Sequence, residues 1–530
     1  MRLLAAVLFP VVCFAAAPNS PLLDAARSNS TTAVVALLKA GNANANTASP
    51  DGSTVLHFAV SRDNLEMASA LVTAGADVKR ANRYGVAPLS LAAEKGSARM
   101  AELLLKAGAD PNTAMPEGET ALMTAARAGR ADAIRVLLVH GAQVNARDQY
   151  RGETPLMWAA GRNNADAIRM LVEFGADVKL RTSNPVRAGQ SAGGYVFGAP
   201  GVTSFSALLF AVRGGHIDAT RALLEAGANV NDTLSNGESA LIVAVANAHW
   251  QLADVLLAKG ADPNYGGAGW TALHQLLRAR RPNVGYGFPG PIQTGTLDSI
   301  ELLKTMISKG ANVNARMTKD GMKDGQRNRL NRLGATPFLL AAKNTDVEAM
   351  RILLQAGADP SIATADNITP LMAAAGVNIW NPGEDGGSLA TQEEEQLEAV
   401  KICVERGNDV NAANIFGDTP LHGASYRGAN SVIGFLIRSG ARLDARDSRG
   451  WTPLTIANGV KFDCFYKAQP ETAEFLKGFM EKAGLPTSSQ IADGTECLDC
   501  LGTHPELARA HTERIRKQEA EFARQPPKQR

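Results

Sequence analysis

The stretch GETALMTAARAGRADAIRVLLVHGAQVN, Gly118 to Asn145, is one unit of a pattern that recurs along most of the chain. Its opening half, Gly-x-Thr-(Pro/Ala)-Leu, returns at Gly152 (GETPLMWAAGRN), Gly334 (GATPFLLAAKNT), Gly417 (GDTPLHGASYRG) and Gly450 (GWTPLTIANG). Its closing half returns as LLLKAGADPN from Leu103, LLEAGANVN from Leu223 and LLQAGADPS from Leu353. The motif leucine or its equivalent falls at Leu56, Leu89, Leu122, Leu156, Leu208, Leu241, Leu273, Phe338, Leu371, Leu421 and Leu454, mostly 32 to 34 residues apart. A fixed period of this size means a stack in which each unit buries its apolar face against its neighbours. The gaps after Leu156, Leu273 and Leu371 are longer and read as a normal repeat plus an insertion.

Each motif residue has a local job. The leading glycine supplies a positive φ, threonine caps a first helix, and proline fits the first helical position, where no N–H is missed. Leucine and the Ala-Ala pair face the core. A second helix carries its apolar stripe at helical spacing, as in Ile134, Leu137 and Leu138. Gly141, Gly175, Gly227, Gly260, Gly310 and Gly357 then end that helix in a left-handed cap, and Ala-(Asp/Asn)-x-Asn is turn chemistry for a short β-hairpin.

On these residues the chain resembles the ankyrin repeat family, with its T-P-L-H-x-A signature, over about residues 21 to 486. The resemblance implies an all-α repeat solenoid of about twelve helix–turn–helix and β-hairpin units, three of them bearing large loops. The signature histidine stands at His57, His274 and His422. There the resemblance implies a hydrogen bond to the turn backbone, which most of the other repeats lack.

The formal charge of +2 over 530 residues gives no basic field for nucleic acid. Arg2 and the apolar run Leu3 to Ala17 read as a secretory signal peptide, with cleavage after Ala15 or Ala17. At 15 residues with Pro10 inside, the run is too short for a good membrane span, so no stable span is expected in the mature chain. The domain reading is therefore signal peptide 1–17, repeat solenoid 18–486 and a polar C-terminal tail 487–530.

Cys403 takes a buried second-helix position and reads as a small core hydrophobe. Cys464 falls in a loop of the last repeat. Cys497 and Cys500 form C-x-x-C without a following histidine; in an exported chain they are a disulfide or a pair of ordinary thiols. Glu393, Glu394 and Glu395 read as a helix start. A helix around Glu506 to Phe522 is expected to be exposed with a frayed end and to present a solvated face, since acidic residues dilute its arginines.

Specificity is expected where the repeat is broken. Insertions at about Arg181–Ser204, Arg281–Thr296 and Gly376–Glu395, and an extended hairpin Arg316–Leu333, carry Tyr195, Phe197, Tyr286, Phe288, Arg327 and Trp380. The loops holding Tyr286 and Trp380 share an edge two units apart, on the order of 20 Å. Two roles stay open for these aromatics: recognition, or docking of the loops onto the stack. The turns with Tyr84, Tyr150 and Phe416, and the first-helix faces, are further candidates. The eight histidines sit mostly at repeat positions, and no metalloprotease, nucleophile-elbow or Walker pattern appears. Catalysis, a cofactor and a metal are not expected. The leading reading is an exported, bacterial, non-catalytic scaffold in the periplasm or outside the cell that binds another protein. A small-ligand or glycan receptor and a secreted effector binding a target in another cell are the alternatives.

Overall fold

The computed structural model describes residues 20–41, 43–183, 204–281, 291–320, 330–377, 392–462, 465–488, 492–493 and 505–525. The chain divides into two units, Met1–Ala228 and Asn229–Arg530. The first holds six helix pairs: Pro21–Arg27 with Thr31–Lys39, Val55–Ser61 with Leu65–Thr73, Pro88–Lys95 with Ala98–Lys106, Ala121–Arg127 with Ala131–Val139, Pro155–Ala160 with Ala165–Glu173, and Ala207–Arg213 with Ile217–Glu225. The second holds six more: Ala240–Ala246 with Trp250–Ala258, Ala272–Arg280 with Ser299–Ser308, Pro337–Lys343 with Val347–Gln355, Pro370–Ala375 with Gln392–Glu405, Pro420–Arg427 with Asn430–Arg438, and Pro453–Asn458 with Pro470–Lys482. The fold class is an all-α repeat solenoid.

Every motif leucine from Leu56 to Leu454, and Phe338 in their place, is at most 2% exposed. At about 1.5–3 kcal/mol for each fully buried side chain, this column is the main apolar contribution of the repeat. First helices start where the motif places them. The Thr120, Thr154, Thr336, Thr369 and Thr452 hydroxyls each accept from the backbone N–H three residues on. Second helices stop at the glycine: Gly141 has φ 90°, and the N–H of Ala142 reaches back to the Leu137 carbonyl at 3.0 Å.

The histidine repeats add a second tie. The Thr54, Thr271 and Thr419 N–H groups donate to the Nδ1 of His57, His274 and His422. Nε2 of the same rings lies 3.0–3.1 Å from the Val86, Ala335 and Trp451 carbonyls of the next repeat's turn. A carbonyl accepts and never donates, so each ring carries its proton on Nε2. At Met123 the thioether stands in, 3.5 Å from the Thr120 N–H.

Four expectations are refined. Among the described residues the hairpins between repeats show only isolated bridges, such as Ala48 with Thr54 and Ala114 with Thr120, at four of the turns. Between Pro453–Asn458 and Pro470–Lys482 the chain forms a pair of antiparallel strands, Val460–Phe462 and Phe465–Lys467, and Cys464, expected in a loop, lies outside the described residues. Ala492–Asp493 of the tail pairs in parallel with Val460–Phe462, so the tail is stitched to the end of the stack. The helix expected near Glu506–Phe522 spans Pro505–Arg524; most of its described side chains are exposed, as expected, but one face, with Phe522 buried, is packed on the repeats of its unit. Glu393, Glu394 and Glu395 do open a helix, that of Gln392–Glu405.

Candidate functional site

A helix packed on both sides by like helices has one free face, and in a repeat the same position occupies it each time. Here that position is four residues after the N-cap. In the first unit it holds an exposed Asp24, then Phe58, Leu91, Thr124, Trp158 and Phe210, of which all but Thr124 are half-buried. Arginines lie over this stripe. The guanidinium carbons of Arg27 and Arg127 are 5.5 and 5.1 Å from the ring centroids of Phe58 and Trp158. Arg213 covers Phe205 at 5.6 Å, and Phe205 meets Phe210 at 5.3 Å. Half-buried aromatics under arginines are the residue types that concentrate binding energy at protein interfaces.

Beside Trp158 the stripe opens into a hollow of about 280 Å³ lined by Glu117, Glu119, Asp148, Tyr150, Arg151, Glu153 and Trp158. Arg127 answers Glu119 at 3.2 Å and Arg151 approaches Glu153 at 3.7 Å. Burial, helped by the Asp148 charge, pushes the Glu153 carboxyl above its ordinary range. The Trp158 indole N–H is shielded from solvent and has no hydrogen-bond acceptor among the described residues. Four carboxylates around an aromatic wall suit a cationic side chain of a partner, flanked by apolar groups lying along the stripe.

In the second unit the same position holds Val243, Gln275, Leu340, Ala373, Gly423 and Ile456, all buried. The inner-face stripe is thus a property of the first unit. The sequence points to the first-helix faces without naming these residues, which aligning that one position down the repeats displays.

The residues that the sequence points to fall into four groups. Tyr150 stands on the rim of the hollow, 67% exposed, with Arg151 5.4 Å from its ring. Tyr84, 58% exposed, receives a hydrogen bond from Arg83 at 2.6 Å on another turn. Phe416 lies under Arg514 of the C-terminal helix, 5.4 Å from its centroid. Tyr195, Phe197, Tyr286, Phe288, Arg327, Trp380, Cys497, Cys500 and the leader 1–17 lie outside the described residues.

The feet of two insertions do come together. Arg281, where the first begins, pairs with Glu395, where the other ends, at 2.6 Å. Neighbouring Arg280 meets Asp346 at 2.7 Å, and Arg351 meets Glu398 at 2.6 Å. The groove of about 670 Å³ on this edge is therefore lined by charges that largely answer one another. Cys403 is fully buried, and burial pushes its thiol up to about 12, which leaves it an inert core group. Among the described residues, no cluster of three or more His, Cys, Asp or Glu could hold a metal ion, and no helix is long and apolar enough to cross a membrane.

Stacked helix pairs with a regular core and a variable face define a repeat protein whose chemistry is in its surface. Models of ankyrin repeats match residues 22–115, 112–182, 198–267 and 388–476, and a single-repeat model matches 333–365. The chain belongs to the ankyrin repeat family, whose repeats mediate protein–protein contacts and are generally non-catalytic. It is 34% identical over 284 residues to the ankyrin repeat and SOCS box protein 16 of Homo sapiens, covering 51% of this chain and 54% of that one. It is 26% identical over 268 residues to the E3 ubiquitin-protein ligase KEG of Arabidopsis thaliana, covering 47% of this chain and 15% of the ligase. Similarity to the mitochondrial disaggregase of Bos taurus is 26% over 172 residues, covering 31% of this chain and 20% of the relative. The chain spans about half or less of the length of these relatives.

Proposed function

We propose that this chain is a non-catalytic scaffold, exported from the cytoplasm, that holds a partner protein on the inner face of its first unit. The observation that carries the binding reading is the stripe Phe58, Leu91, Trp158 and Phe210 with its arginines and the acidic hollow beside it. The hollow is lined by four carboxylates and one arginine, so it stays net acidic, and the partner segment presents a lysine or arginine to it and lays apolar side chains on either side. Affinity capture by the wild-type chain and by a Trp158→Ala, Phe210→Ala chain of equal thermal stability tests this. Equal capture by both would sink the inner face as the binding site.

The export reading rests on the basic start and apolar run of residues 2–17. A periplasmic, bacterial address belongs to the same reading, and the eukaryotic relatives described above lend it no support. Cell fractionation with N-terminal sequencing checks export: the expected mature chain begins at Ala16 or Pro18. An uncleaved chain retained in the cytoplasm overturns it.

A further inference from the structure

The geometry points to a helix-docking surface on the turns of the second unit, held shut by the chain's own C-terminal helix. This does not depend on the inner-face reading of the first unit. The helix Pro505–Arg524 runs back across three successive turns between repeats. At the turn before Pro420–Arg427, the Arg514 guanidinium lies over Phe416, 5.4 Å from its centroid. At the turn before Pro370–Ala375, the same guanidinium pairs with the 1%-exposed side chain of Asp366 at 2.6 Å. Gln518 links two turns: its amide N–H donates to Asp366 at 2.8 Å, and its oxygen accepts from Asn331 at 3.0 Å. On the extended turn before Pro337–Lys343, Glu519 accepts from the Asp320 N–H at 3.1 Å, and Phe522 lies under Arg316 at 4.9 Å.

Arg514, Gln518 and Phe522 are spaced by four, so they form one face of the helix. The other residues with described side chains, apart from Ile515 and Glu519 beside that face, are exposed, and Phe522 is the buried apolar anchor among them. Most helical stability in a protein comes from tertiary packing, and this polar helix has its packing only at this seat among the described residues. The seat holds it by an ion pair, amide bonds and two arginine–aromatic contacts, which is a reversible grip and not a share of the core. Asn331 and Asp366, which the helix bonds directly, are each 1% exposed. A partner helix carrying a cation, an amide and an aromatic residue at spacing four fits the same surface, and must first displace the chain's own helix.

The test uses the full-length chain and a fluorescent synthetic peptide of residues 505–525 as probe. The Arg514→Glu, Phe522→Asp chain is expected to bind the peptide at least tenfold tighter than wild type, whose seat is taken. Its amide protection is expected to fall in 505–525, 330–333 and 364–368, while the first helices keep theirs. A second variant, Gln518→Glu, sets a carboxylate against Asp366 without touching an apolar group, and is expected to shift peptide binding the same way by at least threefold. Equal binding by wild type and both variants overturns the occupancy. Failure of every variant to bind the peptide overturns the docking surface.

Discussion

At His274 one ring carries two repeats. Its Nδ1 accepts from the Thr271 N–H that opens its own helix, and its Nε2–H donates to Ala335 in the next turn. Burial makes the charged ring costly and outweighs the Ala335 carbonyl that favours it, so the ring is held down to about 4 from an ordinary 6.5. The sign follows from linkage: the folded state binds this proton later than the unfolded state does. The contribution is therefore complete above pH 6.5 and is lost as pH falls toward 4. The loss is about 3 kcal/mol for a shift of this size. Urea midpoints at pH 7 and pH 4.5 check it: His274→Gln is expected to lower stability at pH 7 and to flatten the acid dependence. His57 and His422, also held low chiefly by burial, leave the remainder of that slope. A second residue-scale contrast separates the two glycines of the repeat. Gly141 has φ 90° and open space where a Cβ would stand, so Gly141→Ala costs only left-handed strain, about 1 kcal/mol. Gly417 has φ 82°, and a Cβ there would stand 2.9 Å from the Asp447 Cα and 3.0 Å from the Ser448 N. Because both atoms are backbone of the next turn, Gly417→Ala is expected to lower the midpoint further than Gly141→Ala does in parallel melts.

The closing Ala-Asp-x-Asn of the repeat is legible in sequence as a turn, yet between elements it does more. Asn314 donates from Nδ2 to the Gly357 carbonyl at 3.0 Å and accepts the Asp359 N–H on Oδ1 at 2.7 Å. Asn112 makes the same two bonds to Gly141 and Gln143, and Asn264 makes them to Gly310 and Asn312. One amide thus grips the left-handed helix end of the following repeat, and these bonds recur along the turns. Both sites are exposed, so water replaces part of what is lost. Asn314→Ala is expected to cost about 1–2 kcal/mol and to speed amide exchange at Asp359 before it shifts the global melt. The turn reading came from local chemistry; the grip did not, because its partner lies one repeat away. The C-terminal helix shows the same boundary more sharply. Its helical character was plain from composition, but Asp366, Asn331 and Asp320 belong to no period, and only a fold could place them beneath Arg514, Gln518 and Glu519.

Across the whole molecule one repeat position has two duties. The motif leucines, caps and terminal glycines are repeated because every pair needs them, and repetition is what made the stack readable. The position four after the N-cap is free of that demand, so it drifts, and a drifting position carries no period to read. In the first unit it became Phe58, Leu91, Trp158 and Phe210, half-buried; in the second it became Leu340 and its buried counterparts. The same truncation at this position therefore has opposite consequences in the two units. Trp158→Ala removes a ring whose indole N–H has no acceptor among the described residues and which shares its surface with Arg127 and the acidic hollow. Little packing is lost, so the melt is expected to stay near wild type while partner affinity falls at least tenfold, as for other interfacial tryptophans. Leu340→Ala opens a cavity behind a side chain that is 3% exposed, at a cost of about 2–5 kcal/mol. Its partner affinity is expected to match wild type at temperatures where the variant is folded. Melting curves and affinity capture on the two chains check both halves. If Leu340→Ala lost the partner and Trp158→Ala kept it, the division of duties between the units would be refuted.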